Sequence, residues 1–146
     1  MLRSFIVCIF TVTAVVSTAH GLTVESDFEG ASVRVIEARD DTQTIRFMPG
    51  GDPRRGWPCW WFFRVSGLDA ARPLTSELEG SDGIPPQANG GPNTKPLAPV
   101  WAMPQRATVS FDGGREWRHT EPGRRDGARM IYQIKPQGAS LLVAWG

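Results

Sequence analysis

Short runs of alternating or wholly apolar residues, separated by Gly, Pro and Asp, recur along the chain from about residue 22 onwards. No stretch of helix length shows a 3.6-residue period, so this pattern indicates an all-β protein. We predict an antiparallel β-sandwich of about eight or nine strands. The predicted strands are residues 23–28, 32–38, 44–48, 60–65, 74–79, 107–111, 116–119, 129–135 and 141–145.

Alternation within these strands assigns side chains to faces, because successive residues of a strand point to opposite sides of the sheet. Ile45 and Phe47 share one face of their strand, and Ala107, Val109 and Phe111 share one face of another. These apolar sets should build the core.

The stretch 80–104 contains six prolines and four glycines, among them the adjacent pair Gly90-Gly91, which deny it a regular hydrogen-bonded ladder. A flexible linker between domains is one interpretation of such a composition. Apolar anchors, among them Trp101 and Met103, favour instead a long loop that packs over one sheet.

Residues 1–21 have the order of a secretory signal: Arg3, an apolar run over residues 5–16, then small residues at 17–19. The run is shorter than the about 20 apolar residues that span a membrane, which favours a cleaved signal over a retained anchor. We therefore predict a secreted or periplasmic protein with no stable membrane span, whose β-sandwich domain comprises residues 22–146.

Charge and cysteine content narrow the classes of partner. One of the 16 basic residues, Arg3, and no acid lies in the predicted signal, so 15 basic residues face 15 acidic ones in the remainder. This balance gives no electrostatic footprint for nucleic acid. Cys8 lies in the signal, so Cys59 has no intramolecular partner; burial is the favoured interpretation and intermolecular pairing the alternative.

Catalytic chemistry has little support in the remaining residues. His119 is the only histidine after residue 21, so a His/His/carboxylate zinc site cannot be assembled, and no Gly-x-Ser-x-Gly motif presents a nucleophile. The pair Asp40-Asp41 fits a hairpin turn better than a glycosidase site. We expect no catalytic residue, no metal ligand and no cofactor.

The segment Ser110-Phe111-Asp112-Gly113-Gly114-Arg115-Glu116-Trp117 resembles the Asp-box hairpin, Ser-x-Asp-x-Gly-x-Thr-Trp, with Glu116 in place of Thr. Asp112 can accept backbone donors, the glycines supply positive φ, and Trp117 packs beneath the turn. Asp boxes recur in sialidase-type propellers, but a single copy excludes a propeller. We interpret the segment as a structural hairpin, whose key residues are Ser110, Asp112, Gly113, Gly114 and Trp117.

The predicted strand 60–65 carries aromatic residues on both faces. Trp61 and Phe63 share the face that suits the core, while Trp60, Phe62 and Arg64 take the other. Either the long loop covers this second face, or an exposed patch marks a docking or ligand surface. The candidate interface or ligand surface comprises Trp60, Phe62, Arg64, Trp101 and Met103.

Four segments carry a family resemblance: Phe-Glu-Gly-Ala-Ser-Val-Arg-Val at 28–35, Ile-Arg-Phe at 45–47, Trp-Trp-Phe-Phe-Arg-Val-Ser-Gly at 60–67, and the Asp-Gly-Gly hairpin. Together they resemble the amino-terminal domain of cytosolic-type zinc carboxypeptidases, including exported bacterial relatives. The resemblance implies a β-sandwich that packs beside an α/β peptidase domain and shapes access to its zinc cleft without supplying metal ligands.

In that family His-x-x-Glu and a distant His hold the zinc, and a Glu acts as general base. None of these positions exists in this sequence, so the resemblance does not carry over activity. It implies a noncatalytic accessory domain whose partner is a zinc carboxypeptidase catalytic domain missing from this chain. The end on a predicted last strand favours a fragment over a freestanding domain. The alternative is a secreted carbohydrate-binding or adhesion module, in which exposed tryptophans stack on a polysaccharide.

Overall fold

The structure, a computed structural model of the chain, describes residues 21–52, 57–80 and 103–146. Within these ranges the chain forms ten strands, and no described helix is long and apolar enough to cross a membrane. The strands are β1 (Thr23–Glu25), β2 (Val33–Arg39), β3 (Thr44–Pro49), β4 (Phe62–Ser66), β5 (Leu74–Glu79), β6 (Ala107–Ser110), β7 (Arg118–His119), β8 (Arg124–Asp126), β9 (Arg129–Ile134) and β10 (Ser140–Trp145). The predicted signal falls on residues 1–20, which lie outside the described residues, and on Gly21.

The strands form two five-stranded sheets, in the orders β1-β4-β10-β6-β7 and β2-β3-β5-β9-β8. This arrangement confirms the predicted all-β sandwich. One feature of the prediction is corrected, because β3 and β5 pair in parallel and the second sheet is therefore mixed. The parallel pairing arises because β4, which lies between these two strands in sequence, belongs to the other sheet.

The described ranges contain one strand more than the nine that the pattern predicts. This strand, β8, pairs with β9 across a turn at Gly127, whose φ is 58°. All three residues of β8 are polar and exposed, so it shows no alternation of apolar and polar positions.

The hydrophobic core lies between the sheets. Ile45, Phe47, Ala107 and Val109 are buried there as predicted, and Phe111 packs partly buried against them. The Phe47 ring meets the rings of Trp61, which directly precedes β4, and of Phe63 edge to face, with ring centroids 5.2 and 4.9 Å apart. The alternation of β3, β4 and β6 therefore points the apolar sets into one shared core.

Met103 and Pro104, where the described residues resume after residue 80, are anchored in the core. Met103 is 8% exposed, and a Cβ atom placed on Gly80 would lie 3.4 Å from the Met103 Cε atom. The hydroxyl group of buried Tyr132 donates a hydrogen bond of 2.5 Å to the Pro104 carbonyl oxygen. Residues 80 and 103 therefore lie side by side at one end of the sandwich.

The outer face of the second sheet is charged. Neighbouring strands place Arg and Glu side chains opposite one another, with the shortest pair, Arg129 and Glu77, 2.7 Å apart. Arg46 lies 3.8 Å from Glu37 and 3.6 Å from Glu79. This ladder of ion pairs is typical of a face in contact with water.

Candidate docking surface

The outer face of the first sheet is apolar at its centre. Phe62 of β4 is opposite Ala144 of β10, and Ala144 is in turn opposite Thr108 of β6, so these three residues cross the sheet in a row. Trp60 precedes β4 and is half-buried, as is Phe62. As predicted from alternation, Phe62 points away from the core that its neighbour Phe63 enters.

A turn before β2 folds over one side of this face. Phe28 meets Phe62 edge to face, with ring centroids 5.0 Å apart. The Trp60 indole N–H donates a 2.9 Å hydrogen bond to the Gly30 carbonyl oxygen. Backbone hydrogen bonds of 2.8 and 2.9 Å between Ser32 and Phe62 fix this turn to the sheet. The Trp60 ring is therefore held in one orientation.

The Asp-box-like hairpin covers the other side, and its turn is organised by Asp112. The Asp112 Oδ1 atom accepts hydrogen bonds from the Ser110 hydroxyl at 2.8 Å and from the backbone N–H groups of Arg115 and Glu116 at 3.1 and 3.0 Å. The Ser110 hydroxyl oxygen accepts a 2.8 Å bond from the Gly114 N–H. These donors, first the Glu116 N–H and then the Ser110 hydroxyl, lower the pKa of Asp112.

The same turn delivers Trp117 to the aromatic face. Gly113 and Gly114 adopt φ values of 78° and 97°, which favour glycine. The Gly114 carbonyl oxygen accepts a 3.0 Å hydrogen bond from the Trp117 indole N–H. The Trp117 ring lies 5.7 Å from that of Phe62, and 40% of the residue remains exposed. The hairpin thus places an exposed indole on the outer face of the sheet.

Between the two covering segments lies a shallow groove of about 330 Å³. Six described residues line the groove: Gly30, Trp60, Phe62, Thr108, Trp117 and Ala144. None of the six carries a charge. Their polar groups already have partners, since both indole N–H groups bond to carbonyl oxygens and the Thr108 hydroxyl lies 3.3 Å from the His119 Nδ1 atom.

Charged and polar groups border the groove. Arg64 lies 3.3 Å from Glu25, and its guanidinium group lies over the Phe28 ring at 5.3 Å. His119 lies on the opposite side, in the edge strand β7. The surface therefore has an apolar centre and a polar rim.

The structure distributes the five predicted surface residues among different places. Trp60 and Phe62 line the groove, and Arg64 lies beside it. Met103 instead lies in the core between the sheets, and Trp101 is outside the described residues.

Two further rings, those of Phe28 and Trp117, join this surface, although we predicted neither as part of it. The long loop is one of the two covers that the sequence predicts for the second face of β4. The covering segments in the described structure are the turn that follows Phe28 and the hairpin that ends at Trp117. The match to the Asp-box pattern was a usable signal for Trp117, because the motif ends on a tryptophan that packs near its own turn.

The residues considered for chemistry are dispersed. Among the described residues, no group of three or more His, Cys, Asp or Glu side chains could hold a metal ion. Asp40 and Asp41 lie in the turn between β2 and β3. Their carboxylates accept hydrogen bonds from the backbone N–H groups of Leu22 and Thr42, respectively. Cys59 is 8% exposed, and burial raises the pKa of its thiol.

Comparison with known proteins links this fold to bacterial enzymes. No family model and no curated protein matches the chain. Three similar solved structures are a carboxypeptidase from Burkholderia mallei (23% identity, TM-score 0.62), a metallo-carboxypeptidase from Burkholderia cenocepacia (22%, 0.59) and one from Pseudomonas aeruginosa bound to (2-guanidinoethylmercapto)succinic acid (22%, 0.59). The matches cover 84–87% of this chain and 28–29% of those chains. The likeness confirms the fold that the family resemblance implies, in a chain that spans less than a third of those structures.

Proposed function

We propose that this chain is a noncatalytic accessory β-sandwich of a secreted zinc carboxypeptidase-like protein, and that it docks on a peptidase domain. The fold likeness supports this role, because the chain corresponds to only 28–29% of each similar carboxypeptidase. The observation that carries the proposal is the aromatic outer face of the first sheet, with its uncharged groove. In this role the chain shapes access to a zinc cleft that another domain provides.

The two outer faces of the sandwich differ in the way that a docking role requires. The second sheet presents charges that are already paired with one another, such as Arg129 and Glu77. The first sheet presents half-buried rings, Phe62 among them, surrounded by a polar rim. An apolar centre within a polar rim is the usual anatomy of a protein interface.

The groove favours an apolar protein side chain over a sugar. A sugar ring stacks on an indole, but its hydroxyl groups also need hydrogen-bond partners when they lose water. The indole N–H groups of Trp60 and Trp117 are occupied by backbone carbonyls, and the Thr108 hydroxyl is paired with His119. Polysaccharide binding is therefore the less favoured function, and the docking experiment below also tests it.

The first experiment is to sequence the coding DNA on both sides of this chain's own and to search every frame for His-x-x-Glu followed by a later His. We expect a peptidase there, whether in the same reading frame or in a neighbouring one. The chain purified alone should show no carboxypeptidase activity and no stoichiometric zinc. Neighbouring frames without a peptidase, or one tightly bound zinc per isolated chain, would contradict the proposal.

The second experiment tests docking with the peptidase so identified. Ala144→Arg places a charge on the floor of the groove, and Ala38→Arg places the same charge on an exposed position of the other sheet. We expect the first variant to abolish association, or interdomain protection from proteolysis, and the second to leave it intact. Equal behaviour of the two variants would exclude this face. Quenching or enhancement of tryptophan fluorescence by polysaccharides would instead favour the carbohydrate-binding module.

A further inference from the structure

We infer that Trp117 is the anchor of the docking surface, and that the groove beside it receives one large apolar side chain, such as Leu, Met or Phe, from the peptidase domain. The Asp112 turn positions this anchor. The inference rests on the proposed function and adds to it the residue that determines affinity, together with the chemistry of the group that enters the groove.

Trp117 is singled out by its location. The described ranges leave four large apolar residues exposed: Val35, Ile36, Trp57 and Trp117. Trp117 alone among these four lines the groove. Tryptophan is enriched among the residues that dominate interface energetics, because it buries a large rigid surface.

The turn holds the Trp117 ring in place before any partner arrives. Hydrogen bonds connect the Asp112 carboxylate to the Trp117 indole through the turn. The carboxylate accepts from the Ser110 hydroxyl, whose oxygen accepts from the Gly114 N–H, and the Gly114 carbonyl accepts from the indole N–H. A preorganised ring loses little conformational entropy on binding. Asp112 is therefore a positioning residue, since it acts on the partner only through Trp117.

The groove itself indicates what enters it. Its six lining residues are uncharged, and its donors and hydroxyl group already have partners, so a charged or strongly polar group would lose water without compensation. The occupied indole N–H groups also argue against a polyproline segment, whose carbonyl groups such indoles often bind. A single large apolar side chain matches the uncharged lining and the polar groups that are already paired.

A neutral apolar dye, N-phenyl-1-naphthylamine, tests the groove without any partner. Trp117→Ala removes one wall, and Ala144→Leu fills the floor without removing any wall. The matched controls are Trp57→Ala and Ala38→Leu, which make the same substitutions at exposed positions outside the groove. We expect about tenfold weaker dye binding in both groove variants and unchanged binding in both controls. Binding unchanged in the groove variants, or weakened equally in the controls, would overturn the inference.

Hydrogen exchange tests the positioning role of Asp112 directly. Asp112→Ala should speed exchange of the Trp117 indole N–H about tenfold, since the turn that holds its acceptor is released. Asp112→Asn keeps an acceptor oxygen and should restore slow exchange. The Trp60 indole N–H, bonded to Gly30, serves as the internal control. Exchange of the Trp117 proton that is unaffected by Asp112→Ala would refute the positioning role.

The inference and the proposed function can fail separately. If a peptidase docks but Trp117→Ala binds it as the wild type does, the anchor is wrong and the docking role stands. If the dye results hold and no peptidase is found, the groove takes an apolar group but the peptidase domain as the source of that group is wrong.

Discussion

The single tyrosine of the chain, Tyr132, offers a quantitative test of how the sandwich holds its long connection. Tyr132 is fully buried, and its hydroxyl donates a hydrogen bond to the carbonyl oxygen of buried Pro104, which follows core residue Met103. Tyr132→Phe removes this hydrogen bond and leaves the ring in place. The Pro104 carbonyl then loses its buried donor, so we expect a loss of about 1 to 3 kcal/mol in the free energy of unfolding at neutral pH.

The pH dependence provides a second and independent signature. Burial raises the pKa of Tyr132 above its ordinary value. A raised pKa means that the stability contributed by the neutral phenol is fully present below about pH 10 and is lost as the pH rises further. The wild type should therefore lose about 1.4 kcal/mol per pH unit above about pH 10, relative to Tyr132→Phe. The two proteins should converge and then exchange order.

Urea unfolding, followed by tryptophan fluorescence at several pH values, measures both effects. Phenolate absorbance assigns the titration, because no second tyrosine contributes. Ser76→Ala is the matched control: it deletes another buried hydroxyl, which has no hydrogen-bond partner among the described residues, and should not lower stability. A loss below about 0.5 kcal/mol for Tyr132→Phe, or a pH-independent difference, would refute this account of the anchor.

Two further predictions concern turns. Because hydrogen-bond donors lower the pKa of Asp112, the stability that its carboxylate contributes is present above about pH 3.9 and is lost as the pH falls through the lowered pKa. Asp112→Asn should therefore be less stable than the wild type at neutral pH, and the difference between their urea midpoints should shrink as the pH falls below about 3.9. The side chain of buried Gln43 accepts a 2.7 Å hydrogen bond from the Asp69 N–H and donates one of 2.8 Å to the Arg72 carbonyl. Gln43→Met should therefore lower the free energy of unfolding by about 1 to 3 kcal/mol, whereas Gln133→Met, at an exposed position, should lower it little. Equal unfolding midpoints for the two methionine variants would contradict the second prediction.

The fold was accessible from the sequence wherever burial alternates along a strand. Ile45 and Phe47 were assigned to the core because a sheet with one buried face imposes a two-residue period. The strand β8 (Arg124–Asp126) was missed because both of its faces are exposed and no such period exists. Parallel pairing of β3 and β5 was also missed, since the choice of neighbour depends on the route of the chain between sheets and not on local pattern.

The candidate surface was predicted only in part, for a related reason. Alternation in β4 placed Phe62 outward, which depends on the strand alone. Its contacts with Phe28 and Trp117 join segments far apart in sequence, and no local pattern encodes such a meeting. Met103 was assigned to the surface because the long loop could cover the outer face of β4 through it; Met103 instead packs in the core, and the sequence does not encode which of these two apolar surfaces it meets.

The position of β10 (Ser140–Trp145) determines when, during synthesis, this protein can complete its fold. Although β10 is the last strand in sequence, it is the central strand of its sheet, with β4 on one side and β6 on the other. During synthesis, β4 and β6 are therefore both translated before the strand that joins them. The strand edges that pair with β10 stay without this partner until residues 140–145 are translated, so the sandwich can be completed only then. The contacts that complete it join distant parts of the chain and therefore form slowly.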